Sequence, residues 1–479
     1  MIVAVLAALA APVAVSAPWP APNGTVEEAG AAGPAQPPNV VVVMTDDQDA
    51  RSIEVMEGVD RVLAQQGTTF ENAFATFPLC CPSRASFLTG QYAHNHGVMG
   101  NQEPDGGFKA FDDRETLPVW LGREGYRTAY VGKYLNGYDS TRRRYIPPGW
   151  DRWHAPVLNT TSHMFDYTLN ENGRFNHYGD SAGDYQTDVY GEKAARFVRD
   201  SAPDRRPFFL TMSPLAPHGE IGRRGALPNP RPAPRHEARF EGTPLPRPPS
   251  FDEEEVADKP TFVRQAPRLT QDDESTLTER YQDRLASLLA VDEAVEGIVR
   301  ALRESGELDE TLIVFTSDNG YLLGEHRLTE KKWLYEESAQ VPLIVRGPGM
   351  PAGEVRSQLA ANIDLAPTIL ELAGARSGGR AVDGRSLLPL ADDPDVGAGR
   401  DLLLENGRST AIRTPRYMFA RHRNESGARE ELYDLRDDPF QLESRHSGGP
   451  HSTPKYDALS DELRLRLDSL EDCGGAACR

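Results

Sequence analysis

The stretch Asn39–Gln48, NVVVVMTDDQ, is an apolar run, rich in β-branched residues, that ends in acids and an amide. An unbroken run of this kind is typical of a strand that is buried on both faces, and such strands lie in parallel or mixed sheets covered by helices. The run therefore predicts an α/β protein with a covered central sheet. It also places Asp46 and Asp47 at the carboxyl end of a buried strand.

Apolar runs of the same type recur, and helical patterns precede several of them. Three apolar runs follow helical patterns: YRTAYVGKY after LPVWLGREG, PFFLTMSPLAPH after TDVYGEKAARFVRDS, and TLIVFTSDNG after a long amphipathic segment with Gly306 near its end. A fourth apolar run, VPLIVRGPG, comes soon after. This alternation predicts a large mixed, mostly parallel sheet with helices on both faces. NIDLAPTILELAG predicts a further helix, with Asp364 as its N-cap and Gly374 as its stop.

The pattern changes in two later parts of the chain. From His218 to about Asp273 the sequence is rich in proline and arginine, which predicts a long loop. Its arginines either contact an anionic substrate or are solvated, and solvated arginines are the commoner case. After Gly384, the pieces DLLLEN, TAIRTPRYMFAR and ELYDLRDDP predict a small antiparallel sheet on which the final helix KYDALSDELRLRLDSLED packs. We therefore expect an α/β domain at residues 39–395 and a smaller C-terminal α+β domain at residues 396–479.

The first residues have the composition of an export signal. Residues 1–17 are apolar and small, as in a secretory signal peptide, although no lysine or arginine precedes them. A membrane anchor is the alternative, but Pro12 interrupts the run and the run is short for a span. Residues 18–38 are rich in proline, alanine and glycine and predict a disordered linker. We expect a secreted or extracellular protein without stable membrane insertion.

The charge of the chain restricts its partners. The 479 residues carry a formal net charge of -20, which argues against a nucleic acid as the main partner. An anionic small substrate remains compatible with this charge, since a site can be locally basic or hold a metal ion.

Acidic and amide side chains end two of the predicted strands. Asp46 and Asp47 follow the first strand, and Asp318 and Asn319 follow a later one. Ligands of open α/β sheets gather beyond the carboxyl ends of the strands. Each pair alone fits a turn or a helix cap, but together the carboxylates would repel one another without a cation. Because all the donors are oxygens, the pattern predicts Ca²⁺ or Mg²⁺ and not zinc.

Two adjacent cysteines occur in FPLCCPSRASFLTGQ, Phe77–Gln91. A strained disulfide between neighbours, a zinc site, a thiol nucleophile and two buried structural thiols are the alternatives for an isolated pair. The string CCPSRASFLTG, however, matches the pattern Cys-x-Pro-Ser-Arg followed by x-x-x-Leu-Thr-Gly. At this point the chain resembles the sulfatase family, whose hallmark is that string. Pro82 is well placed to open a helix with Cys80 just before it, and the positive helix end favours a sulfate.

The resemblance extends over nearly the whole chain after the linker. VVMTDDQ and FTSDNGYLLGEH are similar to the metal-binding strands of the family, and ELYDLRDDP to its C-terminal signature. By resemblance, Cys80 is oxidised to formylglycine by a formylglycine-generating enzyme, while Cys81 takes a variable position. The implied metal ligands are Asp46, Asp47, Cys80, Asp318 and Asn319, with Ca²⁺ favoured over Mg²⁺. The other implied catalytic residues are Arg84, Lys133 in VGKYLNGY, His218 in PLAPHGE and Lys331 in EKKWLYEESAQVPLIVRGPG, with Lys332 as the less favoured second lysine.

The sequence departs from the family pattern in two places. Many sulfatases carry Gly-Lys-Trp-His where this chain has Gly132-Lys133-Tyr134-Leu135, so one histidine of the site is missing. DPFQLES also differs from the usual ending, a change that we expect to be structural. GKYLN, CCPSR and TGQYAHNHGV together resemble the N-acetylglucosamine-6-sulfatase and arylsulfatase subgroup.

The resemblance implies hydrolysis of sulfate monoesters, of a sulfated carbohydrate or an aryl sulfate. N-acetylglucosamine 6-sulfate in a glycosaminoglycan is the favoured substrate. In the implied mechanism, hydrated formylglycine attacks sulfur with help from Asp318, and His218 is the preferred general acid, with Lys331 on the leaving-group side. Lys133 and Arg84 hold charge near the formylglycine. The alternatives are a formylglycine-dependent phosphonate or phosphate ester hydrolase, and a non-catalytic binder of sulfated glycans whose Cys80 stays a thiol.

Four other residues are secondary candidates. His94 and His96 in YAHNHG either line the pocket or make local structural contacts, and the second is favoured. Cys473 and Cys478 bracket a short glycine- and alanine-rich loop. They fit a small disulfide loop in an exported protein, or else two free thiols.

Overall fold

The computed structural model describes residues 36–141, 144–220, 229–423 and 430–479. The predicted signal peptide, residues 1–17, and nearly all of the predicted linker therefore lie outside the described residues. From Pro37 onward the chain belongs to one unit, and the division at residues 395 and 396 stays a prediction.

Ten strands form a large sheet. In chain order they are β1 (Asn39–Thr45), β2 (Thr68–Phe74), β3 (Arg127–Gly132), β4 (Arg152–Val157), β5 (Tyr167–Glu171), β6 (Arg174–Tyr178), β7 (Phe208–Ser213), β8 (Thr311–Ser317), β11 (Leu343–Arg346) and β12 (Glu354–Ala361). Between β8 and β11, the short strands β9 (Leu322–Leu323) and β10 (Thr329–Glu330) form a separate hairpin. Their spatial order is β12-β2-β11-β8-β1-β7-β3-β4-β5-β6. The pairs β1–β7, β1–β8, β3–β7, β3–β4 and β2–β12 are parallel. The sheet is thus mixed and mostly parallel, as the sequence predicts.

Strand β1 lies at the centre of the sheet and faces two cores. Val40, Val42 and Met44 pack into the core on one side, and Val41 and Val43 pack into the core on the other. All five side chains are buried because helices cover both faces of the sheet. This explains why the strand is uniformly apolar and does not alternate with polar residues. The prediction from NVVVVMTDDQ is confirmed.

Helices cover the two faces of the sheet. In chain order they are α1 (Glu57–Val62), α2 (Cys80–Thr89), α3 (Ala93–His96), α4 (Gly107–Ala110), α5 (Leu117–Arg123), α6 (Tyr138–Thr141), α7 (Gln186–Ser201), α8 (Thr261–Arg264), α9 (Gln271–Glu304), α10 (Glu336–Ala339), α11 (Leu365–Ala373), α12 (Leu388–Asp392) and α13 (Pro454–Glu471). Residues of α2, α5 and α11 pack into one core, and residues of α1, α7 and α9 pack into the other. Both faces are therefore covered by helices, as predicted.

A second, four-stranded antiparallel sheet follows near the C-terminus. Its strands are β13 (Leu402–Glu405), β14 (Ser409–Arg413), β15 (Tyr417–His422) and β16 (Glu430–Asp434). Leu463 and Leu467 of α13 pack against this sheet. The predicted small antiparallel sheet and its final helix are confirmed, and TAIRTPRYMFAR forms two strands joined by a turn.

One helix prediction is confirmed only in position, and another is wrong. Asp364 occupies the N-cap position of α11, as predicted, but its side chain makes no capping hydrogen bond to that helix. It accepts instead from the backbone of Ala361 and forms a buried ion pair with Arg400 at 2.6 Å. Cys80 is the first residue of α2 and not the residue before it, since the cap position belongs to Leu79. The prediction of Gly374 as the stop of α11 is confirmed, with a left-handed φ of 62°.

The remaining predictions concern the long loop, the membrane and the C-terminal cysteines. Among the described residues between His218 and α9, the only helix is the short α8. Within the described parts of the chain, no helix has both the length and the apolar character needed to cross a bilayer. Cys473 and Cys478 form a disulfide.

Candidate active site

The carboxyl end of β1 forms the centre of the candidate site. Because β1 pairs in parallel with both β7 and β8, the segments that follow these strands leave the sheet at the same edge. Asp46 and Asp47 follow β1, Asp318 follows β8, and the first turn of α2 brings Cys80 to them. One potential ligand atom from each of these four side chains lies within 4.8 Å of the other three. The structure thus brings together residues that are far apart in the sequence. Asn319 and Asp47, for example, are 272 positions apart and share a hydrogen bond.

Hydrogen bonds hold the acidic residues in one arrangement. The Asp47 N–H donates to Asp318 Oδ1 at 3.1 Å, and Asn319 Nδ2 donates to Asp47 Oδ1 at 2.8 Å. Asn319 Oδ1 is buried and has no hydrogen-bond partner among the described residues. Three buried carboxylates beside a free amide oxygen are a donor set that suits a hard divalent cation. The cluster could therefore hold such a metal ion.

Arg84 connects α2 to the acidic cluster. Its Nε donates to Asp318 Oδ2 at 2.8 Å, and its Nη1 donates to the Lys133 carbonyl at 2.8 Å and to Ser213 Oγ at 2.6 Å. Its Nη2 lies 3.6 Å from Asp46 Oδ2. The guanidinium is buried, so this network of partners offsets the cost of removing its charge from water.

Two ammonium groups surround the sulfur of Cys80. Lys331 Nζ lies 3.1 Å from Cys80 Sγ, and Lys133 Nζ lies 3.6 Å from it. Lys331 also pairs with Asp47, and Lys133 pairs with Asp46. Residue 80 is therefore surrounded by two ammonium groups and the carboxylates with which they pair. This arrangement suits an anionic group bound at this position once a metal ion balances the carboxylates.

His218 lies at the edge of the cluster. Its Nε2 is 3.7 Å from Asp47 Oδ2, and its Nδ1 lies 2.6 Å from the Gly219 carbonyl, to which it donates. This bond leaves Nε2 as the nitrogen that faces the site. A small cavity lies beside it and is lined by Asp47, Lys331, Tyr321 and other residues. The cavity has a volume of about 30 Å³, which admits a water-sized group next to both His218 and Lys331.

Burial and charge shift the pKa values of the cluster in opposite directions. Burial raises the pKa of Asp46 and Asp47, but the surrounding cations, chiefly Lys133 for Asp46 and Lys331 for Asp47, hold both pKa values below the usual range. Burial and then the Asp46 carboxylate raise the pKa of Asp318 to about 6. Burial lowers the pKa of His218 to about 4. The site therefore combines ionised carboxylates with two groups whose protonation responds readily to a bound ion.

The unmodified thiol of Cys80 is a poor nucleophile in this setting. Burial raises the pKa of Cys80 to about 11, although Lys133 and Lys331 oppose the shift. A thiol with this pKa is almost entirely protonated near neutral pH, and only the thiolate attacks readily. The alternative of a simple thiol nucleophile is therefore disfavoured by the structure.

The secondary candidates lie elsewhere or make structural contacts. Lys332 is exposed, so of the two adjacent lysines only Lys331 reaches the cluster. His94 lies between Glu405 and the Cys473 carbonyl, at 3.0 and 2.9 Å. His96 lies 3.0 Å from Ser86 Oγ. Both histidines thus make local structural contacts.

Sequence reasoning missed two residues that touch the site. Ser213, the last residue of β7, binds Arg84, and Arg284 of α9 donates to the Asp47 carbonyl at 2.5 Å. A signal for Arg284 is present in RYQDRLASLLAV, because a charged residue interrupts the apolar stripe of a helix whose flanking Leu285 and Leu288 are buried. A buried arginine requires partners, and here those partners lie at the site.

Family models match most of the chain. A model described as Sulfatase matches residues 38–375, and a model described as N-sulphoglucosamine sulphohydrolase, C-terminal, matches residues 324–472. An N-acetylglucosamine-6-sulfatase of Capra hircus is 33% identical over 512 residues, which cover 95% of this chain and 87% of the relative. An extracellular sulfatase SULF-1 homolog of Drosophila melanogaster is 37% identical over 361 residues, which cover 74% of this chain. The chain spans 31% of that relative and 49% of a putative extracellular sulfatase of Caenorhabditis elegans.

Solved structures share the fold. A protein solved in complex with its substrate, D-glucosamine-2-N,6-O-disulfate, matches with a TM-score of 0.75 and 25% identity, over 91% of this chain and 98% of that chain. A phosphonate monoester hydrolase of Agrobacterium radiobacter matches with a TM-score of 0.68 and 21% identity, over 91% of this chain and 95% of that chain. The second match shows a common fold and nothing about the reaction.

Proposed function

Since this chain belongs to the sulfatase family, we propose that it is a sulfuric ester hydrolase that cleaves sulfate monoesters of sulfated sugars. One observation carries the proposal: residue 80 of the family's CCPSR string is in contact with two lysine ammonium groups and belongs to a cluster of buried carboxylates. A site of this kind can neutralise and orient a sulfate group, which is the first requirement for hydrolysing an anionic ester.

We propose a divalent cation, with Ca²⁺ favoured, as the metal of the site. Asp46, Asp47, Asp318 and Asn319 would hold it, since their oxygen atoms converge and Asn319 Oδ1 has no other partner among the described residues. When bound, the ion supplies positive charge that polarises the sulfate oxygens.

Formylglycine at position 80, made by a formylglycine-generating enzyme, is the proposed nucleophilic group. In its hydrated form, one hydroxyl would attack sulfur as the bond from sulfur to the sugar oxygen breaks. The second hydroxyl would then expel sulfate and restore the aldehyde, a route that the buried thiol does not offer. Lys133 and Arg84 supply positive charge near residue 80. Lys133 pairs with Asp46, and Arg84 pairs with Asp318. Burial raises the pKa of Asp318 to about 6 in the absence of a metal ion, and Asp318 is the proposed acceptor of a proton close to residue 80.

His218 is the proposed proton donor to the leaving oxygen. Its Nε2 faces the small cavity that also borders Lys331, so a sugar oxygen placed there would lie near both groups. Burial holds the pKa of His218 at about 4, and a bound anionic ester would favour the protonated imidazole. Lys331 would stabilise negative charge on the departing oxygen.

We propose N-acetylglucosamine 6-sulfate, in a glycosaminoglycan, as the substrate. The support is the similarity to the N-acetylglucosamine-6-sulfatases, of which the Capra hircus protein matches over most of both chains. We further propose that the protein acts outside the cell. Two relatives are called extracellular sulfatases, and the Cys473–Cys478 disulfide suits an oxidising compartment.

The proposed reaction class predicts a clear substrate preference. An aryl sulfate is expected to be hydrolysed with a kcat/KM at least about tenfold above that of the matched aryl phosphonate, a difference of roughly 1.4 kcal/mol in transition-state stabilisation. The measurement is side-by-side steady-state kinetics on one preparation. A preference for the phosphonate would instead identify a phosphonate hydrolase, and no turnover of either ester would favour a glycan-binding protein.

His218→Asn is expected to affect poor leaving groups most. Loss of a general acid lowers the rate by roughly 10²–10³-fold when the departing oxygen needs a proton, as for a sugar sulfate. Nitrophenyl sulfate, whose leaving group departs without protonation, should lose less than about tenfold. His177→Asn is the matched control, since His177 is 61% exposed on β6. Equal losses on both substrates would show that His218 has another role.

A further inference from the structure

Arg284 is a buried arginine of α9 that reaches the backbone of the candidate site. Its side chain is only 3% exposed, and it lies with its guanidinium carbon 4.1 Å from the centre of the Tyr321 ring. Its Nη2 donates to the Asp47 carbonyl at 2.5 Å, and its Nη1 lies 3.4 Å from the Pro217 carbonyl. One guanidinium thus bridges the backbone of a proposed metal ligand and the peptide that precedes the proposed proton donor His218.

The backbone of Asp47 adopts a conformation that needs such support. It has a φ of 66°, in the left-handed region that residues other than glycine seldom adopt. Such a conformation persists when surrounding contacts fix the peptide on both sides. Here the Asp47 N–H donates to Asp318 Oδ1 and the Asp47 carbonyl accepts from Arg284. The direction of the Asp47 carboxylate therefore depends on both contacts.

The guanidinium is itself fixed in place. Nη2 lies 3.3 Å from Asp49 Oδ2, and the ring of Tyr321 stacks against the guanidinium plane. An arginine presents its donors in a rigid planar fork, so it can hold two carbonyls at a set separation, whereas a lysine ammonium cannot reproduce that geometry. Arg284 also borders the small cavity beside His218, but these hydrogen bonds direct its donors at protein groups.

We propose that Arg284 is a positioning residue that sets the distance between the Asp47 carboxylate and His218. The proposal rests on the proposed function for its effect on turnover, but its effect on metal binding does not depend on the reaction. Groups that orient a metal ligand from behind generally affect both metal affinity and rate. Loss of Arg284 should therefore weaken Ca²⁺ binding and lower kcat, with little change in KM, because the hydrogen bonds that are lost join Arg284 to protein groups.

The test compares Arg284→Met, Arg284→Lys and the control Arg300→Met. Arg300 is an exposed residue on the same helix. Ca²⁺ binding to the metal-free proteins is measured by titration calorimetry, thermal unfolding is followed without metal, and kcat and KM are measured on an aryl sulfate. We expect Arg284→Met to weaken Ca²⁺ binding by roughly 10–100-fold and to lower kcat by a similar factor. Arg284→Lys should show most of the same loss of Ca²⁺ affinity and kcat, and Arg300→Met should match the wild type.

Two results for the Arg284 variants would overturn the proposal. Wild-type Ca²⁺ affinity and kcat in both Arg284 variants would overturn it, and so would a rise in KM alone, which would indicate a substrate contact. If Arg284→Met fails to show a cooperative unfolding transition, the folded Arg284→Lys protein decides the matter through the same titration. If the wild-type protein binds Ca²⁺ but hydrolyses no sulfate ester, the proposed function fails while the calcium titration still tests Arg284.

Discussion

Cys80→Ala is expected to lower kcat for aryl sulfate hydrolysis by roughly 10⁴-fold or more, because removal of a catalytic nucleophile generally costs rates of this order. The thiol side chain is the only source of the proposed aldehyde, and alanine cannot be oxidised to it. Lys133, Lys331 and the carboxylates remain in the variant, so binding of the sulfate group should persist while turnover is lost. Steady-state kinetics with the purified variant and the wild type measure the effect.

Cys81→Ala is the matched control for this prediction. Cys81 is buried in the same helical turn, its sulfur accepts the Asn136 N–H at 3.0 Å, and it does not belong to the group of potential metal ligands that includes Cys80. Its loss should cost about 1 kcal/mol of stability, as for a typical small core truncation, and should leave kcat within a few-fold of the wild type. Comparable activity in Cys80→Ala and the wild type would show that residue 80 is not the source of the nucleophile.

Removal of the divalent metal is expected to lower kcat by about 10³-fold, because a metal ion contributes several kcal/mol of charge stabilisation at a sulfate group. Without the cation, Asp46, Asp47 and Asp318 also repel one another across distances under 4.8 Å. Addition of Ca²⁺ to chelator-treated protein should restore the rate and raise the unfolding temperature, since an ion that binds only the folded state stabilises it. Activity assays and thermal unfolding after EGTA treatment, with Ca²⁺ or Mg²⁺ returned, check both effects.

Asp318→Asn separates metal binding from other effects of the chelator. The amide keeps the shape of the carboxylate but removes a charge from the metal cluster and from the pair with Arg84. We expect this variant to show no rise in unfolding temperature with Ca²⁺ and to be inactive. Asp309→Asn, at an exposed aspartate before β8, should behave as the wild type. Full activity in EGTA, or in Asp318→Asn, would contradict the proposed role of the metal.

The centre of the sheet and the acidic cluster could be predicted because local sequence encodes them. A strand buried on both faces is recognisable from its composition, as in Asn39–Thr45. Residues that follow such strands must emerge at the carboxyl edge of the sheet, which is why Asp46 and Asp318 were expected to meet. Strands β2, β4, β5, β6 and β12 are not predicted, because polar residues interrupt each of them and no continuous apolar run marks them.

The contacts that complete the site depend on long-range packing. Arg284 lies 237 positions from Asp47, and no local pattern specifies that a helix residue will reach the carbonyl of that aspartate. Asp364 takes the predicted cap position of α11, yet its side chain pairs with Arg400, which lies 36 positions further along. Periodicity identifies the face of a helix that is buried, but tertiary packing determines which partners a buried charge will find.

The central claim is that Cys80 becomes an aldehyde in the active protein. Mass spectrometry of the peptide that contains Cys80, from protein produced in its native host, tests this claim most directly. We predict a peptide that is lighter than the thiol form by the mass change of thiol-to-aldehyde conversion, with Cys81 unchanged. An intact thiol at Cys80 in a preparation that hydrolyses sulfate esters would contradict it.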